Sequence, residues 1–206
     1  MTAEMIPWVI SRATGFTALG LLAAAMIAGL LVRTREGVGP LKGSDAVSLH
    51  RQLSLLALAA TGIHGGALLF DRSVDVEPWG LVLPGLLPYR PVWTGIGVAA
   101  AEIALLVHLS FRFRKRIGAK AWRRLHWLAY AAFAGGAVHG LASGTDSGRG
   151  WALAIYGAAV GAVTALTGWR AVMARRSGRR KEARPQPVRQ HPRVTTTAAD
   201  GSEAAA

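Results

Sequence analysis

Cysteine is absent from all 206 residues. Without a thiolate the chain can hold no iron–sulfur cluster and no thiolate-ligated haem, and the CxxCH attachment of c-type haem is excluded as well. Acidic residues are scarce, 11 against 24 Lys and Arg, which leaves a net charge of +13. In a soluble protein that surplus would suggest nucleic acid. Here the basic residues cluster beside apolar stretches, as they do when they orient a membrane protein, and no nucleic-acid partner is expected. No basic region precedes the first apolar run, whose flank carries Glu4, and the run is too long for a cleavable leader, so it reads as an uncleaved span. No GxGxxG follows a strand, and nothing after Met173 reads as a FAD or NAD(P)H domain.

What the chain does have is apolar length. Hydrophobic residues make up 51 % and the mean hydropathy is +0.31. Runs of about 20 apolar residues argue for membrane helices rather than the ten-residue alternation of barrel strands. The expectation is an all-α integral membrane protein of the cell membrane, a five-helix transmembrane bundle over 1–176 followed by a disordered polybasic and polar tail, 177–206. The spans read as about Pro7–Val32, Ala46–Phe70, Val92–Arg112, Ala121–Ser143 and Trp151–Met173. Between the second and third, Pro78, Pro84, Pro88 and Pro91 prevent one continuous helix.

Orientation follows from the basic residues. Arg33, Arg35 and Lys42, then Arg112 to Arg124, then Arg175, Arg176 and Arg179 flank the first, third and fifth spans on one side. The positive-inside rule places that side in the cytoplasm, so the N-terminus is outside and the C-terminus inside. Trp8, Trp79, Trp93, Trp122, Trp151 and Trp169 fall near the expected interfaces, where indole is favoured. The tail is an orientation signal that could also touch anionic lipid.

Two spans carry paired histidines. His50 and His64 are 14 residues apart on the second, His126 and His139 are 13 apart on the fourth. At roughly 1.5 Å per residue each pair covers roughly 20 Å of helix axis, most of the ~30 Å hydrocarbon thickness. One span lies between these helices, so they run in the same direction. His50 then meets His126 at the cytoplasmic level, and His64 meets His139 at the outer level. Two b-type haems stacked through a membrane need that arrangement. Any single intramembrane histidine could equally serve packing through a hydrogen bond; four at matched depths point to ligation. The 13-residue spacing leaves a rotation of about 140° between His126 and His139 on an ideal helix, for which a kink at Gly135 and Gly136 is the candidate remedy.

With these residues in place the chain resembles the ferric reductase-like transmembrane family. That family includes the membrane halves of ferric reductases and NADPH oxidases and the haem-binding subunit of a bacterial methionine sulfoxide reductase system. The likeness rests on the His-x13-His and His-x12-His pairs, WVISRATG, LHRQLSLLAL, YRPVW, RIGAKAWRRLHWLAY and HGLASGTD, and covers about residues 7 to 172. It implies bis-histidine haem b at His50, His64, His126 and His139, with electrons crossing the membrane. The donor would be a separate flavin reductase or quinol, so that flavin or quinone resides on a partner, and the acceptor would be a molecule or reductase at the outer face.

Other residues have two readings each. Arg12, Arg51, Arg123 and Arg124 lie near the expected haem edges, where guanidinium suits a propionate; they could equally be interfacial anchors. His108 could replace an inner ligand or hydrogen-bond locally. Glu102, near the middle of the third span, is costly there if ionised and could be paired or part of a proton path. Gly157 and Gly161 suggest a close-packing face. The competing functions are a quinol-oxidising cytochrome b subunit and, outside redox chemistry, a transporter or assembly factor whose histidines bind a metal ion or move protons.

Overall fold

The computed structural model describes residues 5–32 and 43–182, and among them every regular element is a helix. The α-helices are α1 Ile6–Val32, α2 Gly43–Leu68, α3 Pro91–Ser110, α4 Arg114–Ile117, α5 Ala119–His126, α6 Leu128–Ser143 and α7 Gly150–Glu182, with short 3₁₀ helices at Pro78–Leu81 and Phe111–Phe113. The loop with Arg33, Arg35 and Lys42 lies outside the described residues. Pro7 and Pro91 sit in first turns, where a missing N–H costs no hydrogen bond. Arg90, in a left-handed conformation at φ 45°, turns the chain into α3.

By length and apolar composition three stretches suffice to cross a membrane: Ile6–Val32, Pro91–Ile117 and Gly150–Gly178. The other two expected spans are the histidine-bearing ones, α2 being less apolar because of its polar residues and the fourth being divided into shorter helices. α2 carries Asp45, His50, Arg51, Gln52 and His64. The expected fourth span, Ala121–Ser143, is not one helix. It divides at Trp127 into the basic α5 and the apolar α6 of 16 residues. Trp127 N–H bonds to the Arg124 carbonyl and Tyr130 N–H to the Trp127 carbonyl, both at 3.1 Å, the shorter-range pattern of a tightened turn. Gly135 and Gly136, the candidate kink, lie within an unbroken α6. The break falls instead where exposed Arg123 and Arg124 give way to apolar sequence.

α1 packs along α2, and α3 along α6, with α1 also touching α6. The buried core holds Leu19, Ala23 and Met26 of α1, Phe133 and Ala137 of α6, and Ala152, Tyr156 and Val163 of α7. Phe16 packs against Trp151 and Tyr156 at 5.1 and 5.7 Å between ring centres. Many large apolar side chains face outward, among them Leu55, Leu56, Ile63, Leu105, Leu106 and Leu109. Such a surface would aggregate in water and is ordinary against lipid tails. Gly157 and Gly161 are exposed, with nothing within 4 Å of a built Cβ, so the close-packing face expected there has no counterpart among the described residues.

The 69–90 connection is tied back to the bundle. Asp71 accepts from the Ser73 N–H and hydroxyl at 3.0 and 2.6 Å. Tyr89 donates to the Ser143 carbonyl at 3.2 Å, and Arg90 to the Ala142 carbonyl. The chain clusters into two units, 1–169 and 170–206. Of the second, residues 170–182 are described, as helix, and 171–178 are exposed. Helix therefore continues past the boundary expected at residue 177. The remaining tail, with His191, lies outside the described residues.

Candidate functional site

The four histidines meet in the pairs their depths predict. Ring centres of His50 and His126 are 6.1 Å apart with planes at 76°. Those of His64 and His139 are 6.0 Å apart at 74°. α2 and the α5–α6 stretch must run in the same direction for this to happen. The 14-residue spacing on α2 nearly closes four turns and keeps both rings on one face. On the other side, the tightened turn beside His126 supplies part of the missing rotation, at about 20° extra per residue of 3₁₀ geometry.

Backbone carbonyls hold three of the rings. His50 Nδ1 lies 2.7 Å from the Ala25 oxygen, His64 Nδ1 2.7 Å from the Ser11 oxygen, and His139 Nδ1 2.9 Å from the Trp93 oxygen. A carbonyl only accepts, so each of these Nδ1 atoms carries the proton and donates, leaving the lone pair on Nε2. Each carbonyl is followed four residues later by a glycine, namely Gly29, Gly15 and Gly97. A Cβ added there would stand 3.0, 3.0 and 2.5 Å from the same Nδ1 atoms. In a helix the side chain at i+4 lies over the carbonyl at i; removing it opens the oxygen to the imidazole. Sequence reasoning missed these six residues. The signal was the 14-residue spacing of Gly15 and Gly29, which equals that of His50 and His64.

The ring separations would admit a metal ion between the members of each pair. Two imidazoles bound through Nε2 with bonds of about 2 Å, and ring centres about 1.1 Å behind each nitrogen, would have centroids about 6 Å apart. Among the described residues no group of three or more His, Cys, Asp or Glu converges. Each level would thus offer two imidazoles of the described residues, a donor set that could hold a haem group.

The arginines are placed less uniformly. Arg12 donates to Thr145 Oγ1 at 2.7 Å, pairs with Asp146 and lies 4.1 Å over the Trp8 ring centre. Its guanidinium clamps α1 to the turn after α6, an interaction between residues more than 130 apart that sequence reasoning did not see. Arg51, Arg123 and Arg124 are exposed. Arg123 lines a shallow pocket of about 380 Å³ with Arg114, Lys115, Gly118, Ala119 and Trp122. Trp122 stacks on His126 at 5.0 Å and 22°. His108 is half-buried on α3, outside both ring pairs, and Glu102 is exposed mid-helix.

Compared with known families, residues 14–137 match the model of the ferric reductase-like transmembrane component. The matched region contains His50, His64 and His126 and ends two residues before His139. No curated protein and no solved structure matches the chain.

Proposed function

The chain belongs to the ferric reductase-like transmembrane family, and from that premise we propose that it is a di-haem b cytochrome carrying electrons from a cytoplasmic donor to an outer acceptor. The observation that carries this reading is the pair of ring separations, 6.1 and 6.0 Å, which would admit one haem iron between the imidazoles of each pair. His50 and His126 hold the inner haem, and His64 and His139 the outer. When bound, haem iron supplies a one-electron change between ferric and ferrous states. The chain's own residues fix the ligands. The Ala25, Ser11 and Trp93 carbonyls lock three tautomers with Nε2 free, and second-shell bonds of this kind orient a ligand and raise its basicity.

The N-terminus lies outside and the C-terminus in the cytoplasm, because the dense basic segments then share the inner side. α2 and α5–α6 complete the five spans, with His50 and His64 bonded to α1 and His139 to α3. The donor is a separate flavin reductase or quinol. The basic pocket around Arg114, Lys115 and Arg123 favours an acidic protein surface by electrostatic steering. On the outer face the 69–90 connection, with exposed Trp79 and Tyr89, offers the larger surface for an acceptor.

The test is the spectrum of purified protein from haem-replete cells. Two b haems per chain, low-spin in both oxidation states, are expected. Haem-free protein would overturn the reading and favour a metal or proton transporter.

A further inference from the structure

Three of the four ligand cradles are alike, and the fourth departs from them. On α3 the Trp93 carbonyl and Gly97 serve His139. Fourteen residues further on, nearly the same face returns, and the corresponding positions are Val107 and Phe111. The Val107 carbonyl accepts the Ser110 hydroxyl at 2.6 Å, and Phe111 carries a side chain where the other cradles have glycine. His126 Nδ1 is buried and has no hydrogen-bond partner among the described residues. Its ring lies instead face to face with Trp122, 5.0 Å away and tilted 22°. Trp122 is itself held edge-on by Phe111 at 6.1 Å.

We propose that Trp122 positions His126 by stacking where the other histidines are held by a hydrogen bond, and that this makes the His50/His126 haem the higher-potential one of the two. This rests on the two-haem reading above. A proton shared from Nδ1 to a carbonyl pushes electron density onto the ring and strengthens Nε2 as a donor, which favours the ferric state. Both outer ligands have that bond; of the inner pair only His50 has it. With haem bound, the site held by His50 and His126 would therefore be the easier of the two to reduce.

Potentiometric titration of the purified di-haem protein tests this. Two components are expected. His64→Leu, which removes the outer site, should leave a protein that titrates at the higher potential. Should that variant fail to accumulate, Gly97→Ala with haem in excess should displace His139 from the Trp93 carbonyl and raise the lower component alone. Trp122→Ala should broaden the low-spin EPR signal of the inner haem and leave the outer signal unchanged, and Trp122→Phe, which keeps a stacked ring, should restore it. Two components that titrate together, a lower component that survives His64→Leu, a higher component raised by Gly97→Ala, or an inner signal indifferent to Trp122→Ala would each overturn the proposal while the two-haem reading stands. Protein without haem would overturn both.

Discussion

Replacing Gly97 with alanine sets two effects of opposite sign against each other. Inside a helix alanine is favoured over glycine by about 1 kcal/mol, so α3 itself should gain. The added methyl, however, would stand 2.5 Å from Nδ1 and 2.6 Å from Cγ of His139. Ordinary contact is about 3.5 Å or more, so the ring must withdraw by about 1 Å. That stretches its 2.9 Å bond to the Trp93 carbonyl beyond the hydrogen-bonding limit. Loss of such an outer-shell bond typically weakens a metal site by about 10- to 100-fold, or about 1.4 to 2.7 kcal/mol. Stability of the fold and retention of the outer haem should therefore move apart. Transfer of haem to excess apomyoglobin in detergent follows the second, and thermal unfolding the first. About half of the bound haem should leave about 10- to 100-fold faster, with no fall in Tm. Gly157→Ala on α7, where the new methyl meets nothing within 4 Å, should leave haem release unchanged. Release from Gly97→Ala at the wild-type rate would refute the cradle argument.

Four further outcomes are expected. Each of His50→Leu, His64→Leu, His126→Leu and His139→Leu should lower the haem-to-protein ratio from two towards one, and full retention in any of them would move that ligand role elsewhere, with His108 the first residue to examine. Reporter fusions after Asp146 and Gly178 should report opposite sides of the membrane; the same side for both would break the five-span topology. Arg12→Ala should destabilise by about 1–3 kcal/mol, because it leaves the Asp146 carboxylate, which is only 8 % exposed, with the exposed Arg149 at 3.2 Å as its remaining ion pair, and Arg12→Ala/Asp146→Ala should be milder than the two single changes added together in a thermal-unfolding cycle. Charge reversal at Arg114, Lys115 and Arg123 should slow reduction of inside-out vesicles by a flavin reductase with NAD(P)H, most at low ionic strength; reduction only by quinol, or only from the outer face, would reject that donor.

The ring pairs were legible in the sequence because two strong periodicities act on the same residues. Apolar length fixes where a helix enters and leaves the bilayer, and 3.6 residues per turn fixes which face a histidine takes. His50, His64, His126 and His139 therefore have a depth and a facing before any contact is known. The position of the break in the expected fourth span had no such support. Gly135 and Gly136 invite a kink by composition, but a membrane helix tolerates glycine when its backbone ladder stays intact. The ladder fails at Trp127, where a basic segment suited to the interface meets an apolar one suited to the core. The Arg12–Asp146 pair was illegible for a different reason: charge complementarity across more than 130 residues has many equally good solutions in one sequence.

The glycine cradles lie between these cases. Gly15 and Gly29 repeat at the spacing of His50 and His64 on the neighbouring helix, so the pattern is present in the letters. Glycine in an apolar span, however, ordinarily reads as close helix packing, and a residue without a side chain says nothing of what approaches it. Its meaning comes from the partner. Once His50, His64 and His139 are known to face α1 and α3, the carbonyl at i and glycine at i+4 become a rule for that face. The rule then has force where it is broken. Phe111 would be an unremarkable aromatic at the end of a span, and Ser110 an unremarkable hydroxyl satisfied by the Val107 carbonyl. Against three intact cradles, the same two residues mark His126 as the histidine whose Nδ1 has no carbonyl partner among the described residues.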